Sequence, residues 1–176
     1  AANKDITVST GIPTFDDEHI RLYQDYLGSR HPSSFEELDS VDSYREFLTA
    51  RWCDTISLSF RLQSKLVGIA IVDVIADGLS AVYTFYSPAY KERSLGRFAI
   101  LKIIQFAQKK GFEWVYLGYW IAASRKMQYK NEYRPLEYFV DGGWTQESPL
   151  SQQESGKALL NFAVPNSFRH NPPSKN

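Results

Sequence analysis

Apolar residues recur at helical and at extended spacings along this chain, and residues 1–52 predict one short strand followed by two helices. The strand covers residues 6–10. The first helix follows Thr14, a predicted N-cap before an acidic first turn, and Gly28 is its predicted C-terminal stop. A second helix is predicted over about 42–52, where apolar residues again line one face.

The next part of the chain has the pattern of an antiparallel meander. Residues 56–62 alternate between apolar and polar positions, which predicts a half-buried strand. Residues 66–76 are almost continuously apolar, and residues 79–86 form a third strand-like run. Asp77-Gly78 lies between these two runs and is a strong hairpin signal. The pattern therefore predicts three adjacent antiparallel strands.

A buried helix and a further strand follow the meander. Apolar residues surround most of the helix predicted over 94–110, Gly111 ends it, and residues 112–121 are typical of a buried strand. A strand–helix–strand unit of this length predicts a right-handed crossover between parallel strands. The predicted fold is α+β or α/β, with a mixed sheet in which an antiparallel meander precedes a β-α-β crossover.

Composition divides the chain into one domain and a tail. Residues 1–144 are predicted to form the domain, since 43% of the chain is hydrophobic and 15% aromatic, enough to bury a core. Residues 145–176 are rich in Ser, Gln, Asn and Pro and predict a polar, partly disordered C-terminal tail, with one short element at 158–164. The first residue is not methionine, which trimming or a longer parent protein would equally explain.

Several classes of protein are disfavoured by the residues present. No apolar run approaches the roughly 20 residues that a membrane-spanning helix needs. The single cysteine, Cys53, cannot form an internal disulfide, so a cytoplasmic protein is expected. Three scattered histidines, with no ligand spacing near this cysteine, predict no metal site and no Ser-His-Asp or Cys-His nucleophile.

The charge is balanced overall but uneven along the chain. Residues 91–134 hold ten Lys or Arg and only three acids, although the net charge of the whole chain is zero. A solvated helix face and a local basic surface for phosphates both explain this excess.

Two stretches of the basic segment are candidate binding sites. Helix N-termini favour anions, so a phosphate site is predicted where the buried helix begins, against the alternative of an ordinary capped start; its residues are Arg93, Ser94, Gly96 and Arg97. Lys126, Lys130 and Arg134 are four residues apart and would share one face of a helix, suited to a carboxylate or a phosphodiester. A plain solvated basic stripe is the alternative there, but Met127 and the interleaved tyrosines disfavour it.

Asp73 is the unusual residue of its strand. It lies in an apolar run, where an unpaired carboxylate is costly. A salt bridge or a turn-facing position would explain it, and so would a role in orienting an incoming ammonium or a ligand hydroxyl.

These segments together resemble a known family. The run from Leu66 to Trp144 is similar to the C-terminal domain of the arginyl- and leucyl-tRNA–protein transferases, through VDVIADGLSAVYTFYSP, SLG, YLGYWI, SRKMQYKNEYRP and the closing GW. With the helical region before it, the resemblance covers about residues 8–144. The spacing from GYWI to Glu137 is more similar to the bacterial aspartate/glutamate leucyltransferases than to the arginyltransferases of eukaryotes.

The resemblance implies a fold, a reaction and partners. The fold would be GNAT-like, with aminoacyl-tRNA in place of an acyl-CoA. The reaction would move leucine from leucyl-tRNA to proteins that begin with Asp or Glu, and so mark them for N-end-rule degradation. No cofactor is expected in this chain, because the family's metal or iron–sulfur cluster belongs to a preceding domain whose cysteine motif is absent here. An arginyl donor, an acetyl-CoA-dependent N-acetyltransferase and a silent tRNA- or degron-binding module remain alternatives.

Roles for single residues follow from the resemblance. The ester would lie between the strand near 83–86 and the strand that ends at 119–121, which splay apart in GNAT folds. Arg93, Ser94, Gly96 and Arg97 would hold tRNA phosphates or the terminal adenosine. Lys126, Lys130 and Arg134 would read the acidic acceptor. Tyr119 would shuttle a proton and Asp73 would fix the acceptor amine. The donor leucine would occupy an apolar pocket formed by Phe85, Trp120 and Met127.

Overall fold

A computed structural model of the chain describes residues 3–30, 41–48, 52–148 and 157–163. In chain order its elements are β1 (Ile6–Gly11), α1 (Asp17–Arg30), α2 (Val41–Leu48), β2 (Asp54–Leu62), β3 (Lys65–Ile75), β4 (Gly78–Tyr86), α3 (Leu95–Lys110), β5 (Trp114–Ile121), β6 (Leu136–Val140), β7 (Gly143–Thr145) and β8 (Lys157–Ala163). Short 3-10 helices cover Pro88–Arg93 and Gln128–Glu132.

All eight of these strands form one mixed sheet in the order β1-β2-β3-β4-β5-β8-β6-β7. Neighbouring strands are antiparallel except β4 and β5, which are parallel and joined through α3. The predicted meander and crossover are confirmed. Strand β8 lies between β5 and β6, so part of the predicted polar tail is a strand of the sheet; residues 149–156 and 164–176 lie outside the described residues.

The first helix begins and ends at other residues than the sequence predicted. Its N-cap is Asp16 rather than Thr14, because Asp16 Oδ1 accepts the amide hydrogens of Glu18 at 3.0 Å and His19 at 3.1 Å. The helix also continues past Gly28 to Arg30. The second helix, predicted to about residue 52, is described only over Val41–Leu48, and residues 49–51 lie outside the described part.

Apolar side chains cover both faces of the central strand β3. Ile69 and Ile71 belong to a cluster with α1 and α2, whereas Ala70 and Val72 belong to a larger cluster with α3. Successive side chains of a strand point to opposite faces, so α1 and α3 pack on opposite sides of the sheet. This explains why the sequence of β3 is continuously apolar instead of alternating.

A β-bulge at Val82 interrupts β4. Ala81 pairs with Val72 and Tyr83 pairs with Ile71, so Val82 has no partner in the register. The extra residue reverses the facing of the side chains that follow it. Ala81 packs with the α3 cluster, but Tyr83 and Phe85 pack with the α1 cluster.

Strands β4 and β5 separate soon after they meet. Their parallel pairing joins Gly78–Ser80 with Trp114–Tyr116 and then stops. Strand β5 has its own irregularity at this point, between Tyr116 and Gly118 in its register with β8, and Gly118 has φ 72°. A positive φ suits glycine because a Cβ would be strained there. The divergence opens a gap between the two strands at their C-terminal ends.

Candidate functional site

A cleft of about 630 Å³ lies at the gap between β4 and β5. Six of its lining side chains are basic, one is acidic and four are tyrosines. The basic residues are Arg30, Lys91, Arg97, Arg125, Lys126 and Lys130, the acid is Glu132, and the tyrosines are Tyr26, Tyr83, Tyr86 and Tyr129. A cleft of one charge sign concentrates oppositely charged ligands, so this one favours anions.

The N-terminus of α3 forms one wall of the cleft. Ser94 precedes the helix in the left-handed conformation, with φ 51° and ψ 47°, and its side chain does not cap the helix. Gly96 lies in the first turn, and a Cβ built on it would be 3.4 Å from Tyr129 Oη and 3.5 Å from Tyr86 Cε1. Because Gly96 has no side chain, the amides of the first turn are open to the cleft. The helix dipole favours negative charge at this position.

Arg97 follows Gly96 and is held from two sides. Its guanidinium forms a double ion pair with Glu132, in which Nη2 lies 2.7 Å from Oε1. It also lies over the ring of Tyr129, 5.5 Å from the centroid. Hydrogen bonding to Arg97 lowers the pKa of Glu132, so this carboxylate is ionised at neutral pH. The arginine is exposed and positioned at the cleft wall.

Lys130 lines the cleft and is hydrogen-bonded to the backbone of β5. Its Nζ donates to the carbonyl oxygen of Leu117 at 2.7 Å and to that of Tyr119 at 3.1 Å. These carbonyls belong to the part of β5 that has left β4. Burial lowers the pKa of Lys130, because the charged form loses hydration. An ammonium has three N–H donors, so one remains for a ligand.

Arg30, the last residue of α1, lies against the tyrosines of the cleft. Its Nη2 donates to the hydroxyl of Tyr86, and its Cζ lies 5.8 Å from the ring centroid of Tyr26 and 5.6 Å from that of Tyr86. Lys126 Nζ donates to the Arg30 carbonyl oxygen at 3.2 Å. Burial, followed by the neighbouring Tyr86, raises the pKa of Tyr26 to about 12, so this phenol stays neutral.

Comparison with known proteins gives the family of this chain. Residues 18–140 match the family described as arginine-tRNA-protein transferase, C terminus. The chain belongs to this transferase family.

Similar relatives carry a narrower name. The aspartate/glutamate leucyltransferase of Alkalilimnicola ehrlichii is 47% identical over 144 residues, which cover 81% of this chain and 60% of the relative. Those of Hahella chejuensis and Saccharophagus degradans are 42% and 45% identical, with 81% of this chain and 61% of each relative covered. The chain thus spans about 60% of the length of these family members.

Solved structures show the fold. The ribosomal-protein-S18-alanine N-acetyltransferase of Escherichia coli superposes with a TM-score of 0.60 at 12% identity, covering 94% of this chain and 99% of that one. The PaiA N-acetyltransferase of Thermoplasma acidophilum, in complex with coenzyme A, superposes with a TM-score of 0.56 at 15% identity. The match covers 89% of this chain and 99% of that one. The predicted GNAT-like fold is confirmed, and identities this low carry no further conclusion.

The four residues predicted at the start of α3 do not all reach the cleft of this family member. Ser94, Gly96 and Arg97 line it. Arg93 does not, because its guanidinium forms two hydrogen bonds with the carboxylate of Asp5, at 2.8 and 3.0 Å. The left-handed Ser94 separates the two arginines and sends them to different surfaces.

The basic triplet is also divided. Lys126 and Lys130 line the cleft, whereas Arg134 lines a second pocket of about 580 Å³ with Tyr138 and Gln146. The prediction that these three side chains share one helical face was wrong. Residues 128–132 form a 3-10 helix, and the backbone is extended again at Tyr133. A spacing of four residues keeps side chains together only on a continuous α-helix.

The predicted donor pocket is not formed as a unit. Met127 lines the cleft, but Phe85 and Trp120 are buried in two different core clusters, at 0% and 1% exposure. Phe85 packs under α1 because of the bulge at Val82. Trp120 packs in the α3 cluster, 6.0 Å from the ring of Tyr138.

The two predicted catalytic side chains lie away from the cleft lining. Tyr119 is 73% exposed and contributes only its carbonyl oxygen, through Lys130. Asp73 is buried and accepts a hydrogen bond from Thr55 Oγ1 at 2.6 Å, a structural partner that the sequence did not predict. It lies on β3 beyond the bulge, in register with Ser80.

Sequence reasoning missed the part of the cleft that α1 provides. Arg30 and Tyr26 are separated from the other lining residues by more than 50 positions, and no local pattern marks them as ligand-binding. Tyr86 lies at the strand end where the ester was expected, and Tyr129 is one of the interleaved tyrosines of the basic stretch, but neither had a predicted role of its own.

The described residues contain neither a candidate membrane-spanning helix nor a candidate metal-binding cluster. No helix among them has both the length and the hydropathy to cross a bilayer. Within the same residues, His, Cys, Asp and Glu side chains do not gather in groups of three or more that could hold a metal ion.

Proposed function

We propose that this chain transfers leucine from leucyl-tRNA to the α-amine of proteins that begin with Asp or Glu. The family and the name of its relatives support this reaction. The observation that carries the proposal is the cleft between β4 and β5, which combines an open helix N-terminus with six basic side chains. A polyanionic donor and an acidic acceptor both suit such a cleft.

The donor end of tRNA fits the wall formed by α3. Its phosphates would contact the first-turn amides at Ser94 and Gly96 and the guanidinium of Arg97. The exposed Lys91 and Arg125 would extend this contact toward the rest of the RNA. The rings of Tyr86 and Tyr129, both next to Gly96, offer stacking surfaces for the terminal adenine.

The reaction is aminolysis of an ester. The neutral α-amine forms a C–N bond with the aminoacyl carbonyl, the C–O bond to the ribose breaks, and the proton lost by the amine goes to the ribose oxygen. An α-amine has a pKa of about 7.7–8.0, so enough of it is neutral in the cell without a strong base. Positioning and a donor for the developing oxyanion are then the main requirements.

Lys130 supplies that oxyanion donor in our proposal. The carbonyls of Leu117 and Tyr119 fix two directions of its ammonium, and the remaining N–H serves the tetrahedral intermediate. The prediction that Lys130 reads the acceptor's carboxylate is thereby replaced. The backbone carbonyls of β5 orient the catalytic donor and do not contact the substrate themselves.

Apolar residues of the cleft would receive the leucine side chain. Met127 stays in this role, and the cleft offers Ala81, Val82, Ile100 and Leu117 in place of the buried Phe85 and Trp120. Exposure of a new N-terminal leucine would mark the acceptor for N-end-rule degradation. Because aminoacyl-tRNA is the donor, we place the reaction in the cytoplasm.

A panel of donors and acceptors tests the proposal. The purified chain, alone and joined to the remaining portion of the Alkalilimnicola relative, is incubated with labelled leucyl-tRNA, arginyl-tRNA or acetyl-CoA and with peptides that begin with Asp, Glu or Ala. Transfer of leucine to the Asp and Glu peptides only is the expected result. Arginine transfer changes the donor, acetyl transfer overturns the proposal, and binding of RNA and peptide without transfer favours a silent module.

A further inference from the structure

We infer that Arg30 is the residue that binds the acidic side chain of the acceptor. This inference rests on the proposed function, since it assigns the acceptor subsite of the same cleft. It differs from the sequence-based expectation, which gave that role to Lys126, Lys130 and Arg134.

The guanidinium of Arg30 is positioned before any ligand arrives. Its Cζ lies 5.8 Å and 5.6 Å from the ring centroids of Tyr26 and Tyr86, and the Tyr86 hydroxyl accepts a hydrogen bond from Nη2. The two rings are 5.2 Å apart at their centroids and meet edge to face. Arginine stacks well on aromatic rings, and its planar fork loses little rotamer freedom when held in this way. The remaining N–H groups can still pair with a carboxylate.

The other cations of the cleft are occupied or exposed. Arg97 is paired with Glu132, and Lys130 is bonded to two carbonyl oxygens of β5. Lys91, Arg125 and Lys126 are exposed, as suits contacts with a long polyanion, whereas Arg30 is half-buried. Among the described residues, no carboxylate pairs with Arg30. Within the ranges that the structure describes, the charge of Arg30 therefore has no carboxylate beside it, and a ligand carboxylate could pair with it.

A single carboxylate fits this site better than a phosphate backbone does. An Arg–carboxylate pair is planar and bidentate, which suits a guanidinium that is already oriented by two neighbouring tyrosines. Partial burial strengthens the pair and makes an uncharged isostere unfavourable, since the arginine would remain unpaired. Lys126, bonded to the Arg30 carbonyl oxygen, adds positive charge beside the same position.

The test compares two arginines of α1. Arg30→Met removes the guanidinium. Arg30→Lys keeps the positive charge without the forked geometry, and it replaces the methionine variant in the test if that variant does not fold. Arg21→Met is the matched control, because Arg21 is exposed on the same helix and does not line the cleft. Peptides beginning with Asp and with Asn are compared for kcat/KM of leucine transfer and for binding by fluorescence anisotropy.

We expect Arg30→Met to lower kcat/KM for the Asp peptide by about 30-fold or more through KM, the range of charge-assisted hydrogen bonds. The Asn peptide should change by less than about threefold, and Arg30→Lys should keep part of the Asp preference. Equal losses for both peptides, or an equal effect of Arg21→Met, would overturn the inference. Arg30-dependent binding of Asp peptides without any transfer would overturn only the proposed function. Transfer whose Asp preference survives in Arg30→Met would overturn only this inference.

Discussion

The ammonium of Lys130 lies 2.7 Å from the carbonyl oxygen of Leu117, on the part of β5 that has separated from β4. This hydrogen bond holds the charged group of Lys130 at the position where we expect the substrate ester. It also explains how a lysine can be half-buried beside a strand, since its ammonium has a hydrogen-bond acceptor there. The contact also joins the loop segment around residues 122–132 to the sheet.

Replacing Lys130 tests its role as oxyanion donor. Lys130→Met should lower kcat for leucine transfer by about 100-fold, the usual loss when one such donor is removed. The dissociation constants for RNA and peptide should change by no more than about threefold, as measured by anisotropy. Lys130→Arg is the matched control and should retain part of the activity. A loss that appears in binding while kcat is kept would contradict the role.

Activity should depend on pH through the same lysine. Burial lowers the pKa of Lys130 below its usual value of about 10.4, and the oxyanion donor is the charged form. Activity should therefore fall as the pH rises through the lowered pKa, and Lys130→Arg should lack this alkaline fall. Rates need correction for uncatalysed hydrolysis of the ester. Between the folded and unfolded pKa values the unfolded chain binds more protons, so this group makes stability rise with pH there.

Arg93 and Arg97 should differ in RNA binding, although the sequence treats them alike. Arg97 lines the cleft, and Arg93 is bonded to Asp5. Arg97→Ala should weaken binding of tRNA and reduce the salt slope of log Kd by about 1. Arg93→Ala should leave the salt slope unchanged. Salt titrations of labelled tRNA measure both slopes, and a lower slope for Arg93→Ala alone would refute the assignment.

Glu18 should link α1 to the sheet in a pH-dependent way. Its carboxylate accepts hydrogen bonds from Arg61 at 2.7 Å and from the Leu66 amide at 3.0 Å, and the first of these is the main cause of its lowered pKa. Its contribution is full above the unfolded pKa of about 4.3 and is lost as the pH falls through the lower folded value.

Glu18→Gln should therefore lower the free energy of unfolding at pH 7 by about 1 kcal/mol. The difference from wild type should shrink in acid, and urea titrations at several pH values measure it. Glu46→Gln, at an exposed position of α2, is the control. A difference that grows toward low pH would contradict the hydrogen-bond arrangement.

The secondary structure of this chain is largely local in origin, so the sequence predicts most of it. Alternation over 56–62 and the Asp77-Gly78 turn determine the meander, and Gly111 ends α3 as expected. The position of β8 between β5 and β6 depends on pairing between distant segments, which no short pattern records. Asp16 is the N-cap of α1 because its carboxylate accepts hydrogen bonds from two backbone amides that Thr14 does not contact.

The site was less predictable because side-chain direction depends on irregular backbone. The bulge at Val82 turns Phe85 into the core under α1, although simple alternation would place it on the other face. The 3-10 helix at 128–132 separates Arg134 from Lys130. Arg30 lies 56 positions before its partner Tyr86, so only the folded chain brings them together.

A single-turnover experiment distinguishes leucine transfer from acetyl transfer by this chain. Labelled leucyl-tRNA bound to an excess of the chain is mixed with an Asp peptide, with acetyl-CoA present as a competitor, and the product is sequenced by mass spectrometry. We predict that the label leaves the RNA and appears as leucine on the peptide α-amine, and that acetyl-CoA does not change the extent of this transfer. If an acetyl group is transferred instead, or if no label moves when the chain is joined to the rest of the Alkalilimnicola relative, the account is contradicted.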